Sequence, residues 1–238
     1  MSSYTDWEIR DFTEGLIDRS DSNMIPVNAA QGCQNVISRV IGKLKIRNQS
    51  AVAAKPMQNI YPYYKENGGK TLIAACNGSV YYWNTSSSVF TLVKSGMSAT
   101  NDIMFETCAN YMVGFDGLTT PFKWDMVGAA SALLNAPAGG KNPVLHKEQL
   151  FIQHTNHPSQ LWWSDVFEPE TWTAVNYWSF SDGDGDTITC HKAFLGELIV
   201  FKRRSIHNLR GTTLDDFRSD VLDNRVGCVG QKAAAVDN

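Results

Sequence analysis

Long apolar runs are missing from this 238-residue chain. No stretch approaches the roughly 20 residues of a membrane span, and the opening MSSYTDWEIRDF has acidic residues where a secretion signal needs an apolar core. The expectation is folding in a reducing cytoplasm, with no membrane insertion by this chain. Paired cysteines are missing too. Cys33, Cys76, Cys108, Cys190 and Cys228 stand singly, odd in number and without a Cys-x-x-Cys, which excludes a disulfide framework and a zinc site by spacing. Buried small hydrophobes is the role expected of such thiols. Charge of one sign is absent: 21 basic against 24 acidic residues leave a net charge of −3, which gives no long-range attraction to nucleic acid or anionic lipid. Gly-x-Ser-x-Gly, a Ser-His-Asp order and a phosphate-cradling glycine loop are also lacking. The chain reads as no enzyme, and no cofactor is implied.

What remains is an ordinary globular composition, 43% apolar with a mean hydropathy of −0.25, rich in aromatic rings that suit a pleated surface. The chain is organised around Val144–Gly211. There Leu150-Phe151-Ile152, a turn over His154–Ser159 and Leu161-Trp162-Trp163 make a strand–turn–strand unit. Leu198-Ile199-Val200-Phe201 repeats it, with Lys202-Arg203-Arg204 as the turn and Ile206–Leu209 as the return strand. Upstream copies start at Val80 and at Met112. Taking Val80, Met112, Leu150 and Leu198 as equivalent gives a loose period around the roughly 40–50 residues of a four-stranded propeller blade. The expected fold is all-β: a β-propeller or partial propeller of about four blades, over residues 56–238, preceded by a strand–helix–hairpin arm over residues 1–55. An open β-sandwich with similar hairpin spacing is the alternative.

In the arm, Trp7–Phe12 alternates as a strand, Asn28–Gln34 reads as a short helix after Pro26, and Asn35–Val40 with Lys43–Arg47 reads as a hairpin. Met57–Tyr64 is expected as a strand, and Thr71–Cys76 pairs with Ser79–Trp83 through a type I′ turn at Asn77-Gly78. Ala129–Asn142 reads as an inter-blade loop, Leu214–Phe217 as a turn of helix and Cys228–Val236 as the start of another strand. A propeller arc that ends in mid-blade implies a longer chain or completion by other chains, because an uncovered sheet edge recruits strands.

The opening residues Phe12, Gly15, Leu16, Ile25, Pro26, Asn28, Ala29, Asn35, Val36, Gly42, Leu44 and Arg47, taken in order, resemble the start of tailed-bacteriophage β-propeller tail proteins. Later motifs follow the same order: His146…Gln149-Leu150-Phe151, Trp163-Ser164-Asp165…Pro169-Glu170-Thr171-Trp172, Gly185–Thr189 and Leu198…Phe201…Ser205-Ile206. Asn48-Gln49 stands where that family tends to have Pro-Gly. The resemblance implies a structural virion tail component of hub, nozzle or packaged-DNA stabilisation type. It would form a homo-oligomeric ring, contact other virion tail proteins and act in particle assembly and DNA retention or passage.

Candidate sites are few. Ser181-Asp182-Gly183-Asp184-Gly185-Asp186 sets Asp182, Asp184 and Asp186 at alternate positions, as a cation loop would, although Ala193 stands where an EF-hand loop starting at Asp182 needs Glu. A glycine-rich hairpin turn is the plainer reading. Trp163, Asp165 and Trp172, with Glu168 and Glu170 between, could form a carbohydrate site on a receptor-binding propeller or a glycan hydrolase; alternatively Ser164 and Asp165 cap a turn while the indoles pack between sheets. Lys202, Arg203 and Arg204, with Arg210 nearby, could touch passing DNA phosphates or a partner, or form a solvated hairpin tip. The five histidines are expected at a surface or interface rather than around a metal.

Overall fold

The computed structural model describes the strands β1 (Val36–Val40) and β2 (Lys43–Ile46) and residues 57–236. The chain divides into two units, Met1–Ala51 and Val52–Asn238. In the first, β1 and β2 pair antiparallel, with Val36 opposite Ile46 and an irregularity before Val40 meets Lys43. The expected Trp7–Phe12 strand and Asn28–Gln34 helix lie outside the described residues.

The second unit holds four sheets, each a four-stranded antiparallel meander. Blade 1 is β3 (Met57–Tyr64), β4 (Lys70–Cys76), β5 (Ser79–Asn84) and β6 (Val89–Lys94). Blade 2 is β7 (Met104–Cys108), β8 (Tyr111–Phe115), β9 (Phe122–Trp124) and the two-residue β10 (Ser131–Ala132). Blade 3 is β11 (Gly140–His146), β12 (Gln149–His154), β13 (His157–Trp163) and β14 (Tyr177–Ser179). Blade 4 is β15 (Ile188–Phe194), β16 (Glu197–Lys202), β17 (Ile206–Arg210) and β18 (Arg218–Asp223). The first strands pack side by side in chain order, β3 on β7, β7 on β11 and β11 on β15, so each blade starts innermost and runs outward. The expected all-β propeller arc of about four blades is what the chain forms.

Three corrections follow. Val80 lies in the third strand of its blade, whereas Met112, Leu150 and Leu198 lie in second strands, so the repeat runs from Lys70, Tyr111, Gln149 and Glu197. Residues 129–142 hold β10 and the start of β11 as well as loop. The expected strand over Cys228–Val236 is instead irregular, with a short 3-10 helix at Gln231–Ala233.

Period-two alternation builds the core between blades rather than inside one. Tyr63, Ile73, Ala75 and Val80 of blade 1 meet Phe105, Met112, Phe122 and Trp124 of blade 2. Val113 and Phe115 of blade 2 meet Leu150 and Ile152 of blade 3. Phe151, Leu161 and Trp163 of blade 3 meet Leu198, Val200 and Leu209 of blade 4, with Phe217 between them. Each such side chain contributes about 1.5–3 kcal/mol by leaving water.

The tight turns explain why consecutive strands stay paired. Asn77-Gly78, Ala109-Asn110, Lys147-Glu148 and Leu195-Gly196 all have positive φ at both positions, the handedness that matches the twist of the strands they join. Gly78 is also required sterically, since a Cβ there would sit 2.4 Å from the Met97 carbonyl oxygen. Pro62 and Pro143 fall where a missing N–H costs no ladder bond, in the innermost edge strands β3 and β11.

Candidate functional site

The acidic turn and the basic hairpin turn, separate in sequence, form one structure. Lys202 ends β16 with its side chain fully buried; Nζ donates to the Asp184 carboxylate at 2.6 Å and to the carbonyls of Phe180 and Ser181 at 3.0 and 3.4 Å. Asp186 accepts the backbone N–H groups of Arg203 and Arg204 at 3.2 and 3.0 Å. Asp184 also accepts the Asp186 N–H at 2.8 Å. The hydrogen bond from Lys202 is the main cause that holds the Asp184 carboxyl below its usual range.

This geometry overturns two expectations. The carboxylates of Asp182, Asp184 and Asp186 do not converge: Asp184 is turned to an internal ammonium, Asp186 closes the neighbouring turn, and Asp182 is exposed. Among the described residues no group of three His, Cys, Asp or Glu side chains is placed to hold a metal ion. Nor do Lys202, Arg203 and Arg204 form a cationic triplet, because alternation along β16 turns Lys202 inward with Leu198 and Val200. Arg203 and Arg204 stay exposed. Arg210 is taken up by Glu197 at 2.8 Å and Asp220 at 3.6 Å.

The aromatic candidates divide in the same way. Trp163 is 2% exposed and packs against Phe217, edge to face at 4.8 Å between centroids, and against Phe151 at 5.6 Å. It is core, not a stacking platform for a sugar. Trp172 leans on the cluster between blades 2 and 3 and donates Nε1–H to the Pro169 carbonyl at 2.8 Å. Ser164 Oγ accepts the Leu150 N–H at 3.0 Å, and Asp165 accepts from the Asn176 amide at 2.9 Å, so both side chains shape the turn. Glu170 is drawn away from any paired-carboxylate role: it bridges to Lys123 of blade 2 at 2.5 Å and accepts the Leu134 N–H at 2.9 Å. Lys123 is the leading cause that lowers its pKa. A hollow of about 320 Å3 beside Trp163 is bordered by Asp165, Asn176, Thr212 and Thr213, polar groups already engaged in closing turns.

Four histidines expected at the surface or an interface are buried: His146, His154, His191 and His207; His157 is exposed. The four buried rings lie on the strands β11, β12, β15 and β17 at positions that the blades bury. His191 is fully buried between blades 3 and 4, with Nδ1 3.2 Å from the Gln153 amide, and burial lowers its pKa to about 3. His146 sits edge-on to Phe151 with Nε2 unpartnered, and burial lowers its pKa to about 4. These imidazoles are neutral ring-shaped fillers at ordinary pH.

The innermost strands supply polar residues that motif reading missed. Tyr61 of β3 shares a 2.8 Å hydrogen bond with Thr107 of β7, and its hydroxyl is pushed up to about 12 by burial and by Glu106. Burial raises Glu106 as well, opposed in part by Lys192 of β15. Only the blade register, which places strands of three blades together, could have shown this grouping.

No family model matches the chain, and no curated protein matches it by sequence. Solved structures do match. A selenomethionine-substituted virginiamycin B lyase from Staphylococcus aureus superposes with a TM-score of 0.50 at 8% identity, over 79% of this chain and 63% of the lyase. The fold is a β-propeller. The RRP9 WD40 repeats match with a TM-score of 0.49 at 9% identity, over 72% of this chain and 52% of theirs. U3-55K gives 0.49 at 8% identity, over 72% and 53%. The chain thus spans about half the length of the last two, and at these identities the likeness is one of fold alone.

Proposed function

We propose that the chain is a structural component of a bacteriophage virion tail, a hub, nozzle or head–tail junction subunit that acts in particle assembly and DNA retention or passage. The observation that carries this reading is where the motifs of the phage resemblance fall. Leu150, Phe151, Trp163, Leu198 and Ile188 are core residues at inter-blade seams, and Ser164, Asp165 and Glu170 lock turns and join blades. Motifs shared by resemblance therefore specify a scaffold. A scaffold whose seams are its distinguishing feature serves by presenting surfaces to neighbours. Arg203 and Arg204, exposed at one hairpin tip, suit sequence-independent contact with phosphate. Stacking of sugars on Trp163 would need that ring released from the core, which weighs against the carbohydrate-binding alternative.

Removal of the coding sequence from the phage genome that carries it is the test. Electron microscopy should show heads with incomplete or empty tail structures, and infectivity should be restored by expression of the chain in trans. Normal, infectious particles from the deletion would refute the proposal.

A further inference from the structure

We infer that residues Gly227–Val236 form a removable clasp between the fourth and first blades, a device that depends on blade packing alone and so stands apart from the tail reading. The segment leaves β18 and returns across blade 4. Its first anchor is a close approach: the Cys228 N–H donates to the Lys202 carbonyl at 2.9 Å, and Thr189 Oγ1 donates to the Cys228 carbonyl at 2.6 Å. Gly227 makes this possible, because a Cβ there would lie 2.2 Å from the Lys202 carbonyl oxygen and 2.3 Å from the Arg203 carbonyl carbon.

The second anchor is one glutamine. Gln231 Oε1 accepts the His191 N–H at 3.0 Å and its Nε2 donates to the His191 carbonyl at 3.1 Å, so a side chain takes the place of a paired strand on the inner edge of β15. The third anchor crosses to blade 1. Lys232 Nζ donates to the Gln58 carbonyl at 3.1 Å and bridges to Asp102 at 2.7 Å. Beyond it, Ala234, Ala235 and Val236 face Lys192, Phe194, Ile199 and Phe201 across a groove of about 380 Å3.

These holds are of unequal character. Gln231 is buried, but Lys232 and Asp102 are each about half exposed, and residues 232–236 bury little apolar surface. An exposed ion pair in water is weak and screened by salt. The contacts are few enough for local opening well below global unfolding, which uncovers the half-buried Ile199 and Phe201 beside the exposed Phe194 and unties blade 4 from blade 1.

Hydrogen exchange on the full chain tests this, with the His191 amide as reporter and the β16 amides as the measure of global opening. In the wild type, raising salt from about 0.05 to about 0.5 M should speed His191 exchange roughly two- to fivefold, the range of a screened surface pair. Lys232→Met should be faster at low salt and indifferent to salt; Lys232→Arg should restore the wild-type behaviour. Gly227→Ala, which removes the close approach, should speed His191 while β16 keeps its protection. If His191 exchanges at the rate of the β16 amides in every variant, or if Lys232→Met leaves its rate and salt response unchanged, the segment is a fixed part of blade 4 and the inference fails.

Discussion

Replacing Lys202 with methionine isolates the most unusual electrostatic feature of the fold. Methionine keeps the apolar stem that packs beside Leu198 and Val200 but removes the ammonium group. Three acceptors then lose the ammonium: the Phe180 carbonyl, the Asp184 carboxylate, which keeps the Asp186 N–H, and the Ser181 carbonyl, which keeps the Asp184 N–H at 3.3 Å. Breaking a fully buried pair from one side costs about 3–5 kcal/mol. Here the Asp184 side chain is 37% exposed and can recover water, which lowers the expected loss to about 2–4 kcal/mol. At about 2–4 °C per kcal/mol for a domain of this size, the melting temperature should fall by about 4–16 °C. Thermal melts followed by circular dichroism would measure it. Asp184→Asn retains an acceptor and should cost less, and the double variant should cost less than the sum because both act on one bond. The pH dependence has a fixed sign. The folded Asp184 pKa is lowered, so its contribution is present above the ordinary carboxylate range and is lost as the pH falls through the depressed value. An unchanged or higher melting temperature for Lys202→Met would refute the reasoning, because it would mean that desolvation of the ammonium cancels its three bonds.

Other outcomes are open to the same kind of measurement. Trp163→Ala should lose about 3–5 kcal/mol in a denaturant titration, since the ring fills the seam between blades 3 and 4; a loss under about 1 kcal/mol would remove it from the core. Gly78→Ala should lower the melting temperature, because the added carbon meets the Met97 carbonyl and the turn needs positive φ, whereas Gly183→Ala, with open space around it, should pay only the backbone cost. Stability should decline as the pH falls from about 6.5 toward about 4, where protonation of His146 in the folded state catches up with that of the unfolded chain. His146→Phe should flatten that slope, and an identical pH profile for the variant would show that His146 is not responsible.

Fold class was legible because alternation of apolar residues and turn residues are local signals. Leu198-Ile199-Val200-Phe201 and Asn77-Gly78 announce a strand and a hairpin on their own. The first blade was set one strand out of register because Ala109-Asn110 and Lys147-Glu148 make tight turns of left-handed residues without glycine, and so give no punctuation to align on. The site residues were harder for a different reason. Whether Lys202 belongs to a basic cluster or to the core depends on the parity of its strand, and whether Asp184 meets a cation or that lysine depends on two turns 18 residues apart. Gln153 meets His191 only across blades, and Gln231 meets the same histidine only once the chain has passed β18 and turned back over blade 4. Such pairings are properties of topology, and no short motif carries them.

The prolines and the glutamine of the inner edges have a consequence for the chain before it is fully assembled. A meander sheet leaves its first strand unpaired on one side, and an unpaired strand is a template for another molecule's strand. In β3 the template is interrupted by Pro62, in β11 by Pro143 and a register shift, and in β15 its His191 groups are occupied by Gln231. Blade 1 and blade 3 therefore offer poor nuclei for edge-to-edge growth from the moment their inner strands form. Three of the four inner edges thus carry their own interruption to strand addition along the axis.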